Sequence, residues 1–185
     1  MPPFSGSLSR TYFQTRGFVP GGVITNARAE SLHMEALPPF LRTLLVTDGT
    51  VTKHLEAYFW EEVAVENLGQ TEVALEAAVP ALALGAGERV LKRRVRLVGR
   101  ASGRCYGEAE SLIRLPCLPE RLRGELVAGR IGIGELLRER GLETYREILD
   151  LGRAGPDAVY RTYRIMIHGE PAILISETFP CEPYR

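Results

Sequence analysis

Cysteine is scarce in this chain of 185 residues: there are three, Cys105, Cys117 and Cys181. Their number is odd, no CxxC spacing occurs and no histidine lies near them, so neither a disulfide framework nor a zinc site is indicated. Histidine is no richer. His33, His54 and His168 are scattered along the chain, and no metal centre is expected from them. Charge of one sign is also lacking, because 23 Lys and Arg balance 23 Asp and Glu to a formal net charge of zero. A protein whose task is to neutralise nucleic-acid phosphates is not built that way. Long hydrophobic runs are missing: stretches such as residues 77–84 are far too short to span a bilayer. The opening MPPFSGSLSR has no basic-then-apolar signal pattern. No GxSxG elbow and no glycine-rich phosphate fingerprint occurs. The expectation is a reduced, cytoplasmic protein without a nucleic-acid or membrane partner.

What is present is ordinary globular composition, 45% hydrophobic and 25% charged, at a length suited to one domain. Residues 1–36 are rich in Pro, Gly, Ser and Thr and are taken as an irregular or partly extended lead-in, with a single domain over 37–185. The prolines at 38 and 39 suit a first helical turn, and Phe40, Leu41, Leu44 and Leu45 then share a face; Asp48-Gly49 ends that helix with turn chemistry. A second short helix is expected over 50–59, with Tyr58-Phe59-Trp60 as core or rim packing. Extended segments follow around Val63, Val65 and 73–75, then over 89–99 and 105–115, joined by a hairpin turn at 100–104. Short amphipathic helices are expected over 118–128 and 134–140, and three more strands over 143–151, 159–168 and 172–179. Strands in runs with helices gathered early and in the middle predict an α+β domain with a largely antiparallel sheet.

Strand alternation picks out three charges on apolar faces. Arg93 shares a face with Leu91, Val95 and Leu97, while Lys92, Arg94 and Arg96 take the other. Glu177 falls between Ile175 and Phe179, and Arg161 lies with Tyr163, Ile165 and Ile167. Ionised groups are almost never buried without partners. Two explanations fit: either Arg93 and Glu177 pair with each other or with neighbours inside the sheet, or they line a polar site in an apolar pocket. In the second case arginine receives a carboxylate and glutamate handles a hydroxyl or proton.

The stretch Leu37-Pro-Pro-Phe-Leu-Arg-Thr-Leu-Leu-Val-Thr-Asp-Gly-Thr-Val-Thr52, with Leu55-Glu-Ala-Tyr58 after it, resembles the opening of the chorismate pyruvate-lyase (4-hydroxybenzoate synthetase) family, in its archaeal, cyanobacterial and actinobacterial branch. In order come Arg93 before Gly99-Arg100, Ala109-Glu110-Ser111, Leu118-Pro119, Ile133-Gly134, Glu143-Thr-Tyr-Arg-Glu147, Tyr163-Arg164, Gly169-Glu-Pro171 and Ile175-Ser-Glu-Thr-Phe-Pro180. The resemblance covers roughly residues 34–182. It implies a six-stranded antiparallel sheet with packed helices around a closed internal pocket, and cleavage of chorismate to 4-hydroxybenzoate and pyruvate with no metal or organic cofactor. It also implies that Arg93 holds the ring carboxylate, that backbone amides near Val51 and Ile133 assist, and that Glu177 acts near the ring hydroxyl. Glu110 stands where the proteobacterial enzymes carry an arginine, so Arg161 or Arg164 is expected to supply the missing positive charge. Mobile cover is expected around 47–52 and 129–134. Two alternatives stay open on the sequence: a non-catalytic small-acid-binding module with the fold of regulator effector domains, and a lyase or isomerase acting on another cyclic carboxylate.

Overall fold

The computed structural model describes residues 22–128 and 132–185. One antiparallel sheet of six strands organises them: β3 (Val63–Ala74), β4 (Arg89–Gly99), β5 (Cys105–Ile113), β8 (Glu170–Pro180), β7 (Ala158–Ile167) and β6 (Thr144–Arg153), in that spatial order. Two meanders, β3-β4-β5 and β6-β7-β8, therefore meet along the β5–β8 pair. Four helices accompany the sheet, α1 (Pro39–Val46), α2 (Val51–Phe59), α3 (Glu120–Val127) and α4 (Ile133–Glu139), and the α+β expectation holds. No helix among the described residues is long and apolar enough to cross a membrane.

The helices cover one face of the sheet in two patches. Under α1 and α2, Leu41, Leu44, Leu45 and Leu55 pack with Leu97, Tyr106, Leu151 and Phe179. Under α3 and α4, Leu122, Leu126, Leu136 and Leu137 pack with Leu91, Ile113, Ile165 and Ile173. The opposite face is closed by the segment from Leu75 to Leu84, which buries Leu82 against Val90, Leu112 and Leu174. Because side chains alternate, the strands supply both layers and a run such as Ile173-Leu174-Ile175 is apolar throughout. The aromatic run divides: Tyr58 stacks on Phe40 and Phe59 on Tyr106, each at 3.9 Å, whereas Trp60 is 90% exposed.

Two differences from the sequence reading have local causes. Residues 63–74 form one twelve-residue strand rather than two extended pieces, with a register shift between Asn67 and Gly69 that breaks the alternation. Within the lead-in expected to be irregular or partly extended, Val23–Thr25 (β1) and Ser31–His33 (β2) pair as a hairpin whose Ile24 and Leu32 are buried against the main core, so this part is packed rather than a loose lead-in. Three-residue strands carry too little pattern to announce themselves. Residues 1–21 of that lead-in lie outside the described residues.

Candidate active site

The site lies where the two patches of helix cover meet over the middle of the sheet. A cavity of about 70 Å³ opens there, walled by Val95, Leu97, Ala109, Ser111, Tyr163 and Ile175 from the strands, with Val65 at one side. Its cover comes from Gly49, Thr50, Val51 and Thr52 at the start of α2 and from Gly132, Ile133, Gly134 and Glu135 at the start of α4. Arg93 and Arg146 are the two guanidinium groups on its wall. Of the expected cover segments, 47–52 borders the cavity through residues 49–52; in 129–134 the part at 129–131 lies outside the described residues.

Arg93 is 1% exposed, in the middle of β4 opposite Ser111 of β5. Burial lowers its pKa from the ordinary guanidinium value, though a guanidinium stays charged near neutrality. Val51 and Ile133 are the first residues of α2 and α4, and the caps preceding them, Thr50 and Gly132, make no side-chain hydrogen bond to the first-turn amides. Those amides are left to be satisfied by other groups, as at any uncapped helix start. Arg93, Val51 and Ile133 therefore converge on one space from three separated stretches of chain.

Glu177 and Arg161 are placed differently. They stand directly opposite one another on β8 and β7, and Arg161 Nε donates to Glu177 Oε2 at 2.7 Å with both side chains buried. Arg161 Nη1 also donates to the carbonyls of Leu44 and Thr47, both at 2.6 Å, which ties the end of α1 to the sheet. Burial opposes its charge, but Glu177 and Tyr163 outweigh that and raise its pKa. Tyr163, which borders the cavity, donates its hydroxyl to Glu177 Oε1 at 3.1 Å. Burial first, then the Glu177 charge, holds that phenol protonated well above its ordinary range. Glu177 thus reaches the cavity through Tyr163 rather than as a wall residue.

The two arginines expected to supply the second positive charge do not border the cavity. Arg161 is committed to Glu177 and the end of α1. Arg164 sits on the other face of β7, where it pairs with Glu147 at 2.7 Å and donates to the Ala81 carbonyl at 3.2 Å. Parity explains this, since residue 164 alternates with Tyr163 and Ile165. Glu110 is on that far face as well, 3.1 Å from Lys92. Arg146 is the cavity cation that sequence reasoning passed over. It lies within the Glu143-Thr-Tyr-Arg-Glu147 stretch noted for its resemblance, but β6 shifts register between Ile148 and Asp150, which hides which face it takes.

The loop joining α1 to α2 is wired in place. Thr47 Oγ1 accepts the Gly49 N–H at 3.1 Å, and His54 Nδ1 donates to the Thr50 carbonyl at 2.9 Å, leaving Nε2 to face Thr47 Oγ1 at 3.3 Å. A Cβ at Gly49 would come within 2.7 Å of the His54 ring, so glycine is required by that close approach. Arg146 Nη1 completes the attachment by donating to the Asp48 carbonyl at 2.5 Å. Among the described residues, no group of three His, Cys, Asp or Glu side chains is arranged to hold a metal ion.

A family model described as chorismate pyruvate-lyase, Rv2949c-like, matches residues 45–185. The chain belongs to this family. A chorismate pyruvate-lyase of Mycobacterium leprae is 31% identical to it over 170 residues, covering 84% of this chain and 81% of that protein. A chorismate pyruvate-lyase of Mycobacterium tuberculosis H37Rv is 29% identical over 166 residues, 78% of this chain and 81% of that one. Among solved structures, PhnF from Mycobacterium smegmatis superposes with a TM-score of 0.58 at 11% identity, over 89% of this chain and 76% of PhnF. The isolated effector domain of PhnF gives 0.56 at 13% identity, over 75% and 91%. Those two likenesses speak to the shared fold alone.

Proposed function

We propose that this protein is a chorismate pyruvate-lyase that releases 4-hydroxybenzoate and pyruvate. The observation that carries the reading is Arg93, a buried guanidinium on the wall of a largely apolar cavity, in a chain of this family. Arg93 grips the ring carboxylate in its fork, and the first-turn amides at Val51 and Ile133 add donors to it. The walls of Val95, Leu97, Ala109 and Ile175 take the ring and exclude water. In the elimination, the bond between C3 and the ether oxygen breaks and the C4 hydrogen leaves as a proton. Enolpyruvate regains one proton to become pyruvate. Aromatisation of the ring supplies the driving force, so holding the reactive conformer is the protein's main task and no metal or organic cofactor is needed. Glu177, paired with Arg161 through one oxygen and accepting the Tyr163 hydroxyl on the other, acts at the hydroxyl end of the ring through that phenol.

The test is to incubate the purified protein with chorismate, without added metal, and follow both products. The expected result is 4-hydroxybenzoate and pyruvate in equal amounts. Arg93→Ala should lower kcat/KM by roughly 30- to 1,000-fold, the loss of about 2–4 kcal/mol of charge-assisted contact. Tight binding of chorismate with no release above the spontaneous rate would instead make the protein a small-acid-binding module.

A further inference from the structure

Arg146 carries a charge that a ring carboxylate on Arg93 leaves unused. It lies on β6 opposite Ile165, on the helix-covered face, and its side chain reaches the cavity between the first turn of α4 and Thr50. A Cβ built on Gly134, the second residue of α4, would lie 3.4 Å from Arg146 Nη2, so the guanidinium passes directly beside the first turn of that helix. Nη1 is held by the Asp48 carbonyl, while Nε is buried without a hydrogen-bond partner. Arg161 and Arg164 each have a carboxylate, Glu177 and Glu147 respectively. Among the described residues, no carboxylate lies within ion-pair distance of Arg146. Its sequence neighbour Glu147 faces the other side of the sheet, and Glu135, which also borders the cavity, makes no ion pair with it. A half-buried guanidinium held by one neutral carbonyl, with an unsatisfied N–H, is a pre-oriented anion receptor.

We propose that Arg146 receives a second carboxylate, so that the cavity selects a ring dianion over a ring monocarboxylate. The inference rests on the chorismate reading for its ligand class: with Arg93 on the ring carboxylate, Arg146 takes the carboxylate of the enolpyruvyl side chain. The Asp48 bond orients the guanidinium before the ligand arrives, and the fork presents its remaining N–H donors to the two oxygens. Loss of the side chain as pyruvate removes the group that Arg146 holds. The ring product is then retained by Arg93 and the helix starts alone.

The probes are benzoate and 3-(1-carboxyvinyloxy)benzoate, an already aromatic ether that carries both carboxylates of chorismate and has no elimination open to it. Calorimetric titration of the parent protein should show the diacid binding at least about tenfold more tightly than benzoate, the worth of one charge-assisted contact. Arg146→Gln should erase that preference while leaving the benzoate affinity within about twofold, and Arg93→Gln should weaken both ligands. Arg146→Lys, which keeps the charge and the fold but loses the fork, should lose about fivefold or more for the diacid alone. Equal binding of the two probes by the parent would overturn the inference. So would a parallel loss of both in the Arg146 variants, which is the mark of a residue that only braces the loop. Because neither probe turns over, selective diacid binding without chorismate turnover would sink the lyase reading and leave the second receptor standing. Turnover by a protein indifferent to the second carboxylate would do the reverse.

Discussion

One carboxylate, Glu61, fastens the turn between β4 and β5. Tyr106 donates its hydroxyl to Oε1, and the N–H groups of Ala101 and Ser102 donate to Oε2 at 2.9 and 3.0 Å. The Tyr106 bond first, then those from Ser102, hold its pKa down at about 2. A carboxylate whose pKa falls on folding contributes stability that is present above its ordinary value, near 4.5, and is lost as pH falls toward 2. Glu61→Gln should therefore lower Tm at neutral pH, and the gap to the parent should close on acidification to about pH 2. Thermal melts across that range check it; a gap independent of pH would assign the contribution to shape rather than charge. Arg93 shows the other residue-scale principle. Its position in β4 follows from alternation alone, because an arginine between Leu91 and Val95 has no wet side to turn to.

At the scale of elements, the β1–β2 hairpin is attached to the sheet by a small polar network. Asp150 Oδ1 accepts the Ala27 N–H at 3.0 Å and its Oδ2 accepts the Tyr160 hydroxyl at 2.8 Å, while Asn26 Nδ2 donates to the Tyr160 oxygen at 3.3 Å. Tyr160→Phe leaves a buried carboxylate short of a donor and should cost about 1–3 kcal/mol by urea unfolding, with turnover unchanged below the melt. The elements themselves were mostly legible, since the eight-residue α1 carries a helical period and the long strands β4, β7 and β8 are apolar-rich runs bounded by turn residues. Legibility failed where the period is interrupted. The register shifts at Asn67/Gly69 and Ile148/Asp150 concealed the continuity of β3 and the inward face of Arg146. It failed also where a partner is distant in sequence: alternation put Arg161 and Glu177 on apolar faces, but only the β7–β8 register makes them each other's counterion. The expectation that Arg164 serves the cavity came from counting charge, which carries no information about faces.

For the molecule as a whole, Arg161 and Glu177 join three parts: the two strands they stand on and, through the Leu44 and Thr47 carbonyls, the helix that leads into the cavity cover. Removing one member leaves the other buried without its counterion. Arg161→Met or Glu177→Gln should each cost about 3–5 kcal/mol, and Arg161→Met/Glu177→Leu should cost less than the two single losses combined. Denaturant unfolding of the three variants measures the coupling. Folded Glu177→Gln protein should also lose turnover by about 100-fold or more, because Glu177 orients the Tyr163 hydroxyl that meets the substrate at the cavity wall. Normal turnover in that variant would make the pair scaffold.

The strand order has a consequence for how the chain comes into being. β8 is synthesised after the other five strands of its sheet, yet it sits in the interior between β5 and β7. Until it emerges from the ribosome, the nascent chain holds the β3-β4-β5 meander and the β6–β7 hairpin, each with a bare edge where β8 will go. The cavity spans that seam, drawing Ala109 and Ser111 from one meander and Tyr163 and Ile175 from the other. The cavity wall is therefore complete only once β8, which carries Ile175, has been made. A chain interrupted before that point presents two bare strand edges to the chaperones and proteases of the cell, with the cavity wall between them still unfinished.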